Sequence, residues 1–168
     1  IVAGAGSGIG RSLALALADA GCRVVITDIV QERIDEVVEE LRGKGAEAGG
    51  YRVDHTRLEE VQGFADRFFA EWDHVDILCS NAGVGQGAWY EETPLEDWEW
   101  VMSINLWGAI YMLHCFTPSM IAREQGSILL TASDAGLVAM PGMTAYNASK
   151  YAVVAIGETL RIELSVHN

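Results

Sequence analysis

Five short apolar runs recur along the chain, each followed by a longer stretch of helical periodicity, and this alternation limits the fold more than any other feature. The runs are Ile1–Gly4, Arg23–Thr27, Ala48–Val53, Asp76–Cys79 and Ser127–Ala132. The helical patterns lie at Gly10–Ala20, Gln31–Arg42, Leu58–Trp72, within Pro94–Arg123, and at Ala145–Val166. The second of these is amphipathic: Ile34, Val37, Val38 and Leu41 share one face and acidic residues fill the other. In the fourth, Thr93 is read as the N-cap and Pro94 as the first residue of one long helix. Parallel strands must be joined by crossovers, and helices supply them, so the alternation predicts a parallel sheet covered on both faces. The short, near-continuously apolar strands fit burial on both sides. The expected fold class is α/β, a doubly wound parallel sheet with helices on both faces. No repeat, low-complexity run or linker interrupts the chain, which is read as one domain over residues 1–168.

Charge and composition then narrow the function. Half of the 168 residues are hydrophobic and 21% are charged, a globular balance. No apolar run approaches the roughly 20 residues that a membrane span needs. The net charge of −13 and pI near 4.5 argue against nucleic acid and against an anionic membrane surface as partners. Cys22, Cys79 and Cys115 are odd in number and far apart, which fits a reducing, cytoplasmic setting better than a disulfide frame. The four histidines lack metal-ligand spacing, so no metal site is expected.

Three stretches carry chemistry. Gly4-Ala5-Gly6-Ser7-Gly8-Ile9-Gly10 comes after the first strand and opens the first helix. Glycines there let the backbone approach a pyrophosphate, and the helix N-terminus supplies free N–H groups and a positive dipole end. The same stretch could be a plain helix-entry turn. Asp28 ends the second strand, 18 residues after Gly10, where a carboxylate accepts hydrogen bonds from ribose hydroxyls and repels a 2′-phosphate. It could also cap the next helix. Finally, Tyr146 and Lys150 stand four apart and share one helix face.

With these residues in order, the chain resembles the short-chain dehydrogenases/reductases. Gly4-xxx-Gly8-x-Gly10 is similar to that family's fingerprint, with Ala3 where Thr is usual. Ser80-Asn81-Ala82-Gly83 is similar to its Asn-Asn-Ala-Gly stretch, with Ser in place of the first Asn. Asn105, Ser133, Tyr146 and Lys150 match its catalytic set, at intervals of 28 between Asn and Ser and 13 between Ser and Tyr. The resemblance covers essentially the whole chain. It implies a Rossmann-type sheet, an NAD(P) cofactor and a small alcohol or ketone as substrate.

The resemblance also implies roles. Hydride transfer at an alcohol carbon must be matched by movement of the hydroxyl proton, and a phenol can serve when a nearby ammonium favours its anion. Tyr146 is therefore the expected acid/base, and Lys150 its neighbour and a ribose ligand. Ser133 is expected to hold the substrate oxygen, and Asn105 a relay water. Gly4, Ser7, Gly8, Ile9, Gly10, Asp28, Asp54, Asn81, Ala82 and Gly83 are expected to line the cofactor, with Asp54 near the adenine and Asn81 fixing neighbouring strand ends. Gly142-Met143 is a candidate border of the substrate. NAD is expected over NADP, because Ser7 and Ile29 occupy places where NADP-binding members often carry a basic residue.

Two alternatives are a ketoacyl-thioester reductase of the same family, which more often uses NADPH, and a non-catalytic dinucleotide sensor, expected to lack Tyr146 or Lys150. A homodimer or homotetramer is expected through helices 94–123 and 145–166. Trp98, Trp100 and Trp107 are assigned to packing or subunit contact on the first of these helices. The chain opens on Ile1-Val2-Ala3 without Met and ends at Val166-His167-Asn168, whereas family members usually continue through at least two more strands. The expectation is a chain truncated at both ends, lacking C-terminal strands.

Overall fold

In the computed structural model, which describes residues 1–167, five parallel strands form one sheet in the order β3-β2-β1-β4-β5. They are β1 (Val2–Ala3), β2 (Val24–Asp28), β3 (Ala48–Arg52), β4 (Ile77–Ser80) and β5 (Ser127–Leu130). The helices are α1 (Gly8–Asp19), α2 (Gln31–Gly43), α3 (Leu58–Trp72), α4 (Leu95–Met102), α5 (Gly108–Ala122) and α6 (Thr144–Glu163). This is the expected doubly wound, Rossmann-type order. The chain runs outward from β1 to β3, then returns to lay β4 on the other side of β1.

The strands divide the core by strict alternation. Val2, Val24 and Ile26 face α1 and α2, together with Ala14, Ile34, Val37 and Leu41. Ala3, Val25 and Leu78 face the opposite way, onto Val61, Phe64 and Phe68 of α3 and Met112 and Phe116 of α5. Phe64 and Phe116 meet with ring centroids 5.5 Å apart. The side-chain period of two sends successive residues to opposite faces, so one apolar run serves both layers. Helices α1 and α2 both end in a residue of positive φ, Gly21 and Gly45. In each, the next N–H reaches back to the helix (Cys22 to Leu17, Ala46 to Leu41), which closes the carbonyl end.

Three expectations needed correction. Strand and helix limits shift by one to three residues, so β2 reaches Asp28, β4 reaches Ser80, α1 starts at Gly8 and α6 ends at Glu163. Thr93 does not cap α4: its hydroxyl donates to Trp89 O, and Pro94 precedes the first helical residue with extended ψ. Most importantly, residues 94–123 are not one α-helix. A five-residue π-helical turn, Ser103–Trp107, separates α4 from α5. It is held from outside, because the Asn105 side chain binds backbone of the β4 exit loop and Gly108 packs on His55. Helical periodicity carries no information about such distant partners.

Strand β5 lies at one edge of the sheet, with Leu129 exposed. Its burial therefore departs from the two-sided pattern of the central strands.

Candidate active site

The cleft lies where β1 and β4 sit side by side, beyond their carboxyl ends, as expected at the point where the winding reverses. Its volume is about 840 Å³. Most of its walls come from the carboxyl ends of strands and the loops attached to them. The glycine turn comes after β1, Asp28 and Ile29 lie at the end of β2, Asp54 and His55 after β3, Asn81 to Gly85 after β4, and Thr131 and Ala132 after β5.

Close backbone approach builds the floor. A Cβ on Gly10 would lie 2.2 Å from Gly4 O, and one on Gly4 would lie 2.6 Å from Ala82 Cα. Only hydrogen fits at either place. Asn81 then ties three strands together: its Nδ2 donates to Gly4 O at 3.1 Å, and its Oδ1 accepts from Thr131 Oγ1 at 3.0 Å. The strand-fixing role expected of Asn81 is its observed geometry.

Asp28 grips the glycine turn directly. Its carboxylate accepts from Gly6 N at 2.9 Å and from Val30 N at 3.1 Å. Asp54 is held by Thr56, whose N–H and hydroxyl both reach Oδ1. Burial works to raise the Asp54 carboxyl, but the Thr56 hydrogen bonds, together with nearby His55 and Arg57, leave the group below its ordinary value. Sequence inspection did not single out Arg33, whose position on α2 brings it to the same wall as Asp28 and Ile29.

At the other end, Lys150 is buried and donates through Nζ to Thr131 O at 2.8 Å. Its Nζ is 5.7 Å from the centre of the Tyr146 ring. Loss of hydration on burial pushes the Lys150 amine below its ordinary value. Both side chains line the cleft. Asn105 is buried; Val84 N–H donates to its Oδ1 at 2.7 Å, and its Nδ2 donates to Val84 O and to Ser149 Oγ. Both ends of its amide are thus held by protein groups. Ser133 caps a short turn: its Oγ accepts from Ala135 N and donates to Asp134 Oδ1 at 2.8 Å. Trp100, Ser103 and Ile104 also reach the cleft, so Trp100 is more than the packing residue expected from sequence. Trp107 points elsewhere and stacks on Tyr111.

The group this cradle suits is long, with an anionic middle. Gly8, at the mouth of α1, has open space where a Cβ would stand, and helix N–H groups face it. Asp28 stands at one end of the cleft and Lys150 at the other.

A family model for short chain dehydrogenases matches residues 1–168. The chain belongs to the short-chain dehydrogenase family. It is 37% identical to 1-deoxy-11-beta-hydroxypentalenate dehydrogenase of Streptomyces avermitilis, over 98% of this chain and 62% of that protein. A short-chain dehydrogenase from Burkholderia phymatum, solved in complex with NAD, superposes with a TM-score of 0.95 at 38% identity, over 99% of this chain and 60% of that one. A metagenomic short-chain oxidoreductase solved with NADP superposes with a TM-score of 0.95 at 32% identity, covering 99% and 76%. Structural neighbours thus carry either nicotinamide dinucleotide.

His55 was also invisible as a functional candidate. It is buried in the cleft wall, with Nε2 2.9 Å from Thr27 Oγ1. Burial lowers its pKa from 6.5 to about 4, against the pull of Asp28, Asp54 and Glu60. A depressed folded-state value means that stability present above pH 6.5 is lost as pH falls toward 4. The full effect is about 3 kcal/mol. Urea unfolding at pH 7 and pH 4.5 should show the wild type losing about 2 kcal/mol more than His55→Gln. Equal losses would show that this histidine is not held neutral by the fold.

Proposed function

We propose that the protein is an oxidoreductase that moves a hydride between NAD and a secondary alcohol or ketone, with Tyr146 as acid/base. The observation that carries this reading is the placement of Tyr146 and the buried Lys150 ammonium in the same cleft as the glycine turn and Asp28. The nicotinamide, when bound, supplies the redox chemistry. In the oxidation direction, Tyr146 takes the proton from the substrate hydroxyl as the alcohol carbon gives up hydride. Lys150 lines the same cleft and orders Thr131 through its hydrogen bond. Asn105 holds the helix in place, because its partner Ser149 in turn donates to Tyr146 O at 2.7 Å. Ser133 orients the substrate oxygen, after its hydroxyl is shared with or released from Asp134.

Tyr146→Phe should lower kcat by about 10²- to 10⁴-fold while the NAD dissociation constant stays nearly unchanged. Lys150→Ala should weaken both. Turnover retained in Tyr146→Phe would place the acid/base elsewhere.

Preference for NAD over NADP belongs to the same reading. It rests on Asp28, whose charge opposes a 2′-phosphate. Two like charges at ~4 Å repel by roughly 1 kcal/mol in water and roughly 4 kcal/mol at an effective dielectric of 20. Arg33 on the same wall limits the discrimination, and it leaves a cation in place once Asp28 is removed. Titration with both cofactors should therefore show Asp28→Ala gaining NADP affinity by about tenfold or more. An unchanged NADP constant would remove Asp28 from this role.

A homodimer or homotetramer is also proposed, built on the outer faces of α4, α5 and α6, where Trp107, Tyr151 and Ile162 are exposed. Native mass spectrometry should give a dimer or larger at micromolar concentration; a monomer would count against it. The free thiols Cys22, Cys79 and Cys115 favour a reducing, cytoplasmic setting.

A further inference from the structure

Building on the dehydrogenase reading above, we infer that the substrate is an uncharged secondary alcohol or ketone with a bulky apolar substituent, and that carboxylate- or phosphate-bearing substrates are disfavoured.

Two segments meet at the start of the helix that carries Tyr146, next to the cleft that Val84, Gly85 and Tyr146 line. One is residues 84–93, after β4; the other is residues 134–143, which lead into α6. They are zipped together. Ala88 N donates to Gly142 O at 2.9 Å, and Ala88 bridges to Met143, three residues before Tyr146. The second is anchored on the helix that carries Tyr146 and Lys150, and the first is tied to it through the second. Asn147 Nδ2 donates to Met140 O at 2.7 Å, and a Cβ on Gly136 would lie 2.7 Å from Lys150 O. Four large apolar side chains of this rim are open to solvent: Trp89 is 59% exposed, Tyr90 69%, and Leu137 and Val138 67% each. Clustered apolar exposure of this kind marks a place that a ligand or partner covers, and its attachment to the Tyr146 helix points to the ligand.

Charge decides which ligand. Residues 81–149 contain seven Asp or Glu and a single Lys or Arg, Arg123. Arg123 donates to Val75 O and Asp76, which precede β4, so it sits at the amino-terminal end of the strands, whereas the cleft lies beyond their carboxyl ends. The nearest ammonium, Lys150, is buried and donates to Thr131 O. Glu91, Glu92 and Asp134 are exposed on the rim itself. An anionic substrate would lose hydration without gaining a counter-ion from these segments and would face their like charges. A neutral apolar one loses nothing of that kind and removes Trp89, Leu137 and Val138 from water.

The test uses matched pairs that differ by one carboxylate. 1-Phenylethanol is paired with mandelate, and straight-chain 2-alkanols with the corresponding 2-hydroxyalkanoates, assayed with NAD on the intact protein that carries this chain. At each size kcat/KM should be about tenfold or more higher for the neutral member. Leu137→Arg, at an exposed position, should narrow that gap by raising activity on the anionic member. Anionic members turned over as well as neutral ones would overturn the substrate class and leave the dehydrogenase reading standing. NAD binding without oxidation of either series, and without reduction of the matching ketones, would overturn both. A ratio unmoved by Leu137→Arg would show that the rim does not select the substrate.

Discussion

The amide of Asn81 joins the two halves of the winding. It reaches Gly4 O with one end and Thr131 Oγ1 with the other, and so spans the exits of β1, β4 and β5. The reversal of strand order leaves an opening there that no side chain fills. Glycines at 4 and 10 let backbone from neighbouring strand exits come within van der Waals contact, and a methyl group at either would push them apart. The rest of the cleft depends on this convergence. Asp28 is aimed at Gly6, and Lys150 at Thr131, because these strand ends are held in register.

Polar groups buried or half-buried near this crossing are satisfied mostly by backbone. Asn105 holds Val84, Lys150 holds Thr131, and Asp28 holds Gly6 and Val30. Each of these links an exit loop to a helix or to a neighbouring strand. The π-helical turn at Ser103–Trp107 belongs to the same pattern: it widens the helix where Asn105 must meet both Val84 and Ser149. Such turns often occur at functional sites because an added residue re-aims side chains without ending the helix. Proposed acid/base chemistry at Tyr146 would then rely on a helix braced from Asn105 through Ser149 rather than on direct contacts of Tyr146 itself.

The cleft is electrically divided. One end combines Asp28 with Arg33, whereas the Tyr146 end has acidic and apolar rims and one buried ammonium. The proposed preference for NAD and the proposed preference for uncharged substrates thus have one physical basis, the placement of few cations in a strongly acidic chain.

The order of strands and helices, the glycine turn, Asp28 and the Tyr146–Lys150 pair were all legible in the sequence. Each depends on local spacing: apolar runs, residues that permit a tight turn, and two side chains one helical turn apart. What the tertiary structure alone decided depends on residues far apart in the chain. Nothing near His55 in the sequence announces that it will be buried against Thr27, nor does the helical pattern of 94–123 show the π turn that Val84 and Ser149 impose. Arg33 reads as an ordinary helix-surface residue, and Trp100 as a packing or subunit-contact residue, until α2 and α4 are docked beside the cleft. Ser133 was read as a substrate ligand, but its neighbours Asp134 and Ala135 also engage its hydroxyl. Local periodicity specifies which face of an element is apolar; only packing determines what that face meets.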